Sequence, residues 1–184
     1  ANVHSDSAEY NQALDYFERA MNISEIVLPI NHLRLATIYN NIACVHQKTD
    51  NHKKALEFYG KSRDIYEQRS PDTNNQMDLA TCYNNMASLY NELGEYSQAL
   101  SYYEKTYEMV KTNLSNLARY HNNIANVHNN KAEYEEALNH FEKSLAIQMQ
   151  IEPRNDCHLA TTYNNIGAIY AEIGDLPKTF ECYE

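Results

Sequence analysis

LATIYNNIACVH, residues 35–46, decides the reading of this chain, because the chain writes it again as LATCYNNMASLY at 79–90, LARYHNNIANVH at 117–128 and LATTYNNIGAIY at 159–170. In each copy the apolar and small residues fall at i, i+3, i+4 and i+7, the spacing of a helix with one buried face. The middle of each copy is an Asn-Asn pair. Asparagine is one of the poorer helix formers, since its side chain competes for nearby backbone groups, so something must favour it there.

Outward from these A-type helices lie stretches with a second signature. The first is AEYNQALDYFERAMNI, where Tyr10, Ala13-Leu14, Phe17 and Ala20 make an apolar stripe, and Ser7 is the expected helix cap after a polar start. The stripe recurs as Ala55-Leu56, Tyr59 and Ser62, as Tyr96, Ala99-Leu100, Tyr103 and Thr106, and as Tyr134, Ala137-Leu138, Phe141 and Ser144. A short break, such as Gly94-Glu95, 131–133 or Gly174-Asp175, separates each A-type stretch from the B-type stretch after it. The unit is helix A, tight turn, helix B.

The second asparagines stand at 41, 85, 123 and 165, which is 44, 38 and 42 positions apart. Two helices per unit at a period near 42 predict an all-α chain, an α-solenoid of antiparallel hairpins. We divide it as residues 8–34, the B helix of a partial repeat; 35–78, 79–116 and 117–158, three repeats; and 159–184, a truncated repeat. The sequence LPKTFECYE offers no polar-faced cap, which predicts that the chain is an excerpt from a longer array or a larger protein. The extra residues of the long repeats, SPDTNNQMD from Ser70 and EPRNDCH from Glu152, are expected to lengthen helix B or to form surface loops.

Composition narrows the function. A formal net charge of -10, with no cluster of Lys and Arg, argues against a nucleic-acid surface. The longest apolar run, Ile26 to Ile30, contains Pro29 and is far short of the ~20 residues that cross a bilayer. The four cysteines show no paired spacing, so neither a disulfide framework nor a zinc knuckle is indicated and a reducing, cytoplasmic setting is expected. N-x-[ST] matches at Asn22 and Asn113 carry little weight in so asparagine-rich a chain.

The residues that build each unit resemble tetratricopeptide repeats: Tyr83, Met86-Ala87 and Tyr90 on helix A, then Tyr96, Ala99, Tyr103 and Thr106 on helix B. The lengthened period and the Asn-Asn pairs most resemble kinesin light chain repeats, and secondarily those of spindle-orientation adaptors. The resemblance covers nearly the whole chain and implies a right-handed superhelix that binds peptides in a concave groove lined by A helices. Chaperone-binding members of the family clamp a carboxylate with Lys and Arg. Asn85 and Arg119 match that clamp, but Asn40 and Asn123 stand where its other cations would be, so no dedicated carboxylate clamp is expected.

At 100° per residue, the second asparagines Asn41, Asn85, Asn123 and Asn165 fall at about 200° from the core-facing Tyr, toward the groove. The first asparagines Asn40, Asn84, Asn122 and Asn164 fall at about 100°, on the flank, where neighbouring repeats are within reach. A carboxamide both donates and accepts, which suits the main chain of an extended peptide. The second ladder is therefore read as ligand-facing and the first as a tie between repeats. The full candidate peptide-binding set adds Arg119, Asn126 and Ser88.

Sharper chemistry is not supported. His121 and His128 share a face as two zinc ligands would, but they replace tyrosines of other repeats and read as packing residues. Cys157-His158 reads as a loop pair with a free thiol. No catalytic constellation, metal set or cofactor motif is present in the sequence. The expected function is a protein-interaction scaffold for a peptide of a partner; the alternative is a regulatory or spacer arm of a larger enzyme or signalling protein, packed against its own chain.

Overall fold

The computed structural model describes residues 2–69, 73–151 and 156–183, and among these it is helical throughout apart from short turns. The helices are α1 (Asn2–Val27), α2 (Leu33–Lys48), α3 (His52–Glu67), α4 (Thr73–Glu92), α5 (Tyr96–Val110), α6 (Leu114–Asn130), α7 (Tyr134–Gln148), α8 (Asp156–Glu172) and α9 (Leu176–Tyr183). The expected all-α repeat of A and B helices is observed. The chain forms two compact units, residues 1–89 and 90–184.

One backbone device ends the A helices at four equivalent places. Asp50, Gly94, Ala132 and Gly174 adopt positive φ of 57°, 75°, 59° and 81°. The amide of the next residue then reaches back to the helix: Asn51 to His46 O, Glu95 to Tyr90 O, Glu133 to His128 O and Asp175 to Tyr170 O, at 2.8, 2.8, 2.9 and 2.9 Å. This is the six-to-one bond of a Schellman end, which turns the chain sharply into helix B while satisfying a terminal carbonyl.

In the first unit α2 packs on α1 and α3. Leu35, Ile42, Ala43, Ala55 and Tyr59 are wholly buried. Ser62 Oγ donates to Ala36 O at 2.8 Å, filling a backbone acceptor of the facing helix. Tyr39 OH donates to Glu25 Oε1 at 2.8 Å, and burial together with that carboxylate pushes the phenol up to about 12. Tyr83 repeats the arrangement with Glu67.

In the second unit α6 packs on α5 and α7, and α8 on α7 and α9. Its core joins Ala125, Ala137, Phe141, Ile166 and Ile169; burying Phe141 alone contributes about 2–3 kcal/mol. Ser144 Oγ donates to Ala118 O at 2.8 Å, the same bond as in the first unit. Gly167 stands where other repeats have Ala43, Ala87 and Ala125. A methyl group there would lie 3.1 Å from Cys182 Cβ, so α9 uses the missing side chain to approach.

Three expectations change. The helix of the first B stretch begins at Asn2, so Ser7 lies inside α1 and does not cap it; Ser costs a helix interior only a few tenths of a kcal/mol, too little to stop it. Residues 73–78 belong to α4, so the long repeat extends the start of helix A, neither lengthening helix B nor forming a loop there. Cys157 and His158 are likewise the first turn of α8, not a loop pair. Residues 70–72 and 152–155 of the two long connections lie outside the described residues.

Candidate functional site

In the first unit the A helices α2 and α4 meet through their asparagines. Asn85 Nδ2 donates to Asn40 Oδ1 at 3.2 Å and lies 3.5 Å from Cys44 Sγ. The Tyr59 hydroxyl of α3 stands 3.2 Å from the same sulfur and 2.8 Å from Gln47 Oε1. A second-position asparagine thus answers a first-position asparagine of the preceding repeat.

Burial does not separate the two ladders as the helical angle suggests. Asn41, Asn85, Asn123 and Asn165 are half-buried, and so are Asn40, Asn84 and Asn122, while Asn164 is exposed. Ser88 and Asn126 are half-buried and Arg119 is exposed. An isolated helix has only an inside and an outside; a neighbouring A helix covers part of the outer side as well.

In the second unit a cavity of about 360 Å³ opens between α6 and α8. Arg119 and Asn122 of α6 face it, with Ser115 and Asn116 from the first turns of that helix. His158 and Thr161 of α8 form the opposite wall, and Gln148 and Ile151 close the end of α7. Asn113 fixes the start of α6, because its side-chain oxygen accepts from the Asn116 amide at 3.0 Å.

The floor is held rigidly. Gln148 is 6% exposed and its Nε2 lies 2.9 Å from both Ser144 Oγ and Thr162 Oγ1. Asn122 Nδ2 donates to Thr162 Oγ1 at 3.3 Å, so the first asparagine of this repeat also ties two A helices. At the mouth, Arg119 Nη2 donates to Asn116 Oδ1 at 3.1 Å. Among the described residues no carboxylate stands within ion-pair reach of that guanidinium.

Of the candidate residues, the cavity therefore collects Arg119 and Asn122, whereas Asn40 and Asn85 pair elsewhere. Thr161, four residues before Asn165 as Arg119 is before Asn123, also lines the cavity. Ser115, Asn116, Gln148, Ile151 and His158 were not singled out as ligand contacts. Their signal is weak, because they occupy helix ends where the repeats differ most in length and sequence.

Among the described residues the cavity offers the Arg119 guanidinium, the His158 imidazole, carboxamides and hydroxyls beside the apolar Ala118 and Ile151. That set suits an anionic or amide-bearing group on a chain with some apolar surface. Among the described residues no group of three or more His, Cys, Asp or Glu is placed to hold a metal ion. No described helix is long and apolar enough to cross a membrane.

No match is found among curated proteins. Solved structures show the same fold. BtubC (BKLC) from P. vanneervenii is 21% identical, with a TM-score of 0.80 over 98% of this chain and 73% of that one. A putative kinesin light chain from Podospora anserina with nearly identical TPR-like repeats is 14% identical, with a TM-score of 0.77 over 99% and 87%. A Rap protein complexed with competence and sporulation factor is 16% identical, with a TM-score of 0.77 over 98% and 49%. One sequence model of the tetratricopeptide repeat matches residues 1–68 and 116–184, and a second matches 79–115. With the helix-turn-helix units and their repeated small-residue contacts, this shows that the chain belongs to the tetratricopeptide repeat family.

Proposed function

We propose that this chain is a protein-interaction scaffold that holds a peptide segment of a partner against its A helices, with the α6–α8 cavity as a principal seat. The carrying observation is Arg119, a guanidinium at the cavity mouth without a carboxylate partner among the described residues, in a chain of net charge -10. An acidic side chain flanked by small apolar residues is the best complement: the carboxylate meets Arg119, the peptide amides meet Asn116 and Asn122, and the apolar residues meet Ile151. The fold likeness to a Rap protein complexed with competence and sporulation factor supports capture of a ligand by such repeats.

The test is an array of peptides of about ten residues, the length that a few A helices span at ~3.3 Å per residue, probed with the native chain and with Arg119→Glu. Native binders should be enriched in Asp or Glu, and the variant should lose about tenfold or more in affinity for them while melting at the same temperature. Binders that lack acidic residues, or that bind the variant equally well, would refute this seat.

A further inference from the structure

Three positions recur in each hairpin and carry rings in the first three: Tyr39, His46 and Phe58; Tyr83, Tyr90 and Tyr102; His121, His128 and His140; in the last they are Tyr163, Tyr170 and Cys182. Only the third set is all imidazole. Elsewhere at most one of the three is an imidazole, His46 of the first hairpin, and rings that stay neutral pack there, as in the stacked pair of Tyr90 and Tyr102, 5.5 Å apart. In α6 and α7 all three positions are imidazoles, which places titratable rings against one another.

The geometry makes the change consequential. His121 Nδ1 lies 3.1 Å from His140 Nδ1. One of two nitrogens at that distance must accept, so the contact survives only while at least one ring is neutral. The His140 ring lies 5.2 Å from His121 and stacks on His128 at 5.8 Å. His128 Nδ1 is 2.7 Å from Glu133 Oε2, and Lys131 holds the other oxygen of that carboxylate at 2.6 Å.

Among the described residues, no carboxylate acts on the inner pair. On α6, the Tyr120 ring meets His121 edge-on at 5.2 Å, and Tyr107 of α5 backs Tyr120 at 5.3 Å. The Glu104 carboxylate of α5 acts on Tyr120. The charges that act on His121 and His140 are Lys143 of α7 and the other imidazoles, all of them cationic when charged. Ala125 of α6 and Ala137 and Phe141 of α7 belong to the buried core that these helices share.

We infer that the α6–α7 hairpin is an acid-sensitive latch: when His121 and His140 are both protonated, their repulsion across the interface loosens the two helices. Burial, with Lys143, lowers the His121 affinity for protons, and burial, with the neighbouring imidazoles and Lys143, brings His140 down to about 4. The unfolded chain therefore binds more protons than the folded one between about pH 6.5 and pH 4, and stability falls as the solution is acidified through that window. Ala118, Arg119 and Gln148 of the cavity stand on these two helices, so a loosened latch also opens the cavity.

The experiment follows thermal unfolding and amide hydrogen exchange of the full chain between about pH 7.5 and about pH 5, against a variant carrying His121→Tyr, His128→Tyr and His140→Tyr, the rings of the preceding repeat. His140 alone should raise the unfolding equilibrium constant of the native chain roughly 30-fold over that range, with α6 and α7 amides exchanging first, and the variant should lose this excess. An equal pH response in both chains overturns the latch. If the variant does not fold, the imidazole titration of His140 in the native chain decides by nuclear magnetic resonance: a midpoint well below that of free histidine supports the latch, and an ordinary or raised midpoint overturns it.

Discussion

Asn85 on α4 donates its carboxamide to Asn40 Oδ1 on α2 at 3.2 Å, across a sequence separation of 45. The two partners are different members of the Asn-Asn pair, so at this junction the first asparagine of one repeat meets the second of the next. Replacing Asn85 with Ala should cost about 1 kcal/mol. A double-mutant cycle with Asn40→Ala, read from urea unfolding, should return a coupling of about 0.5–1 kcal/mol. Strict additivity would show that the two carboxamides do not hold each other.

Ala87 is fully buried on α4. Each of the other A helices carries Ala or Gly at the same position, where larger side chains leave no room for close helix packing. Ala87→Leu should overpack the unit by about 1–3 kcal/mol. A melting temperature equal to that of the native chain would contradict this packing register.

Ala132 is held at φ 59°, at a turn position that two other repeats fill with glycine. Its Cβ crowds the following carbonyl oxygen in that conformation, which costs about 1–2 kcal/mol, while glycine loses part of the advantage through its freer unfolded chain. Ala132→Gly should therefore stabilise the chain by about 0.5–1 kcal/mol, seen as a later urea midpoint with an unchanged slope. Destabilisation would mean that the turn does not need the left-handed conformation.

Cysteine reactivity should follow burial. Cys82 is fully buried and burial pushes its thiol up to about 12, whereas Cys157 is exposed on the first turn of α8. Alkylation of the native chain at about pH 8 should label Cys157 and spare Cys82, because only the thiolate reacts. Peptide mapping by mass spectrometry reads the sites; rapid labelling of Cys82 would require that α3 and α4 separate far more readily than their packing indicates.

Much of the hairpin architecture was legible beforehand. The stripe of Tyr, Ala and Leu gave the helices and their inner faces, and Gly94 and Gly174 marked two of the turns. The starts of α4 and α8 were not legible, since TNNQMD and DCH carry no strong helix signal and are helical because they continue a packed helix. The candidate site was legible only in part. Arg119 and Asn122 stood out by their repeat positions, but His158 and Gln148 reach the cavity from a helix start and a helix end that no period describes.

The sequence by itself determined the repeat, the family and which face of each helix is inside, because those follow from residue size and hydrophobicity at fixed helical spacing. Only tertiary structure decided what the asparagines meet. A carboxamide on the outer half of a helix bonds equally well to water, to a peptide or to the next helix, and its choice depends on which neighbour arrives at about 3 Å. For Asn85 and Asn122 that neighbour is another A helix.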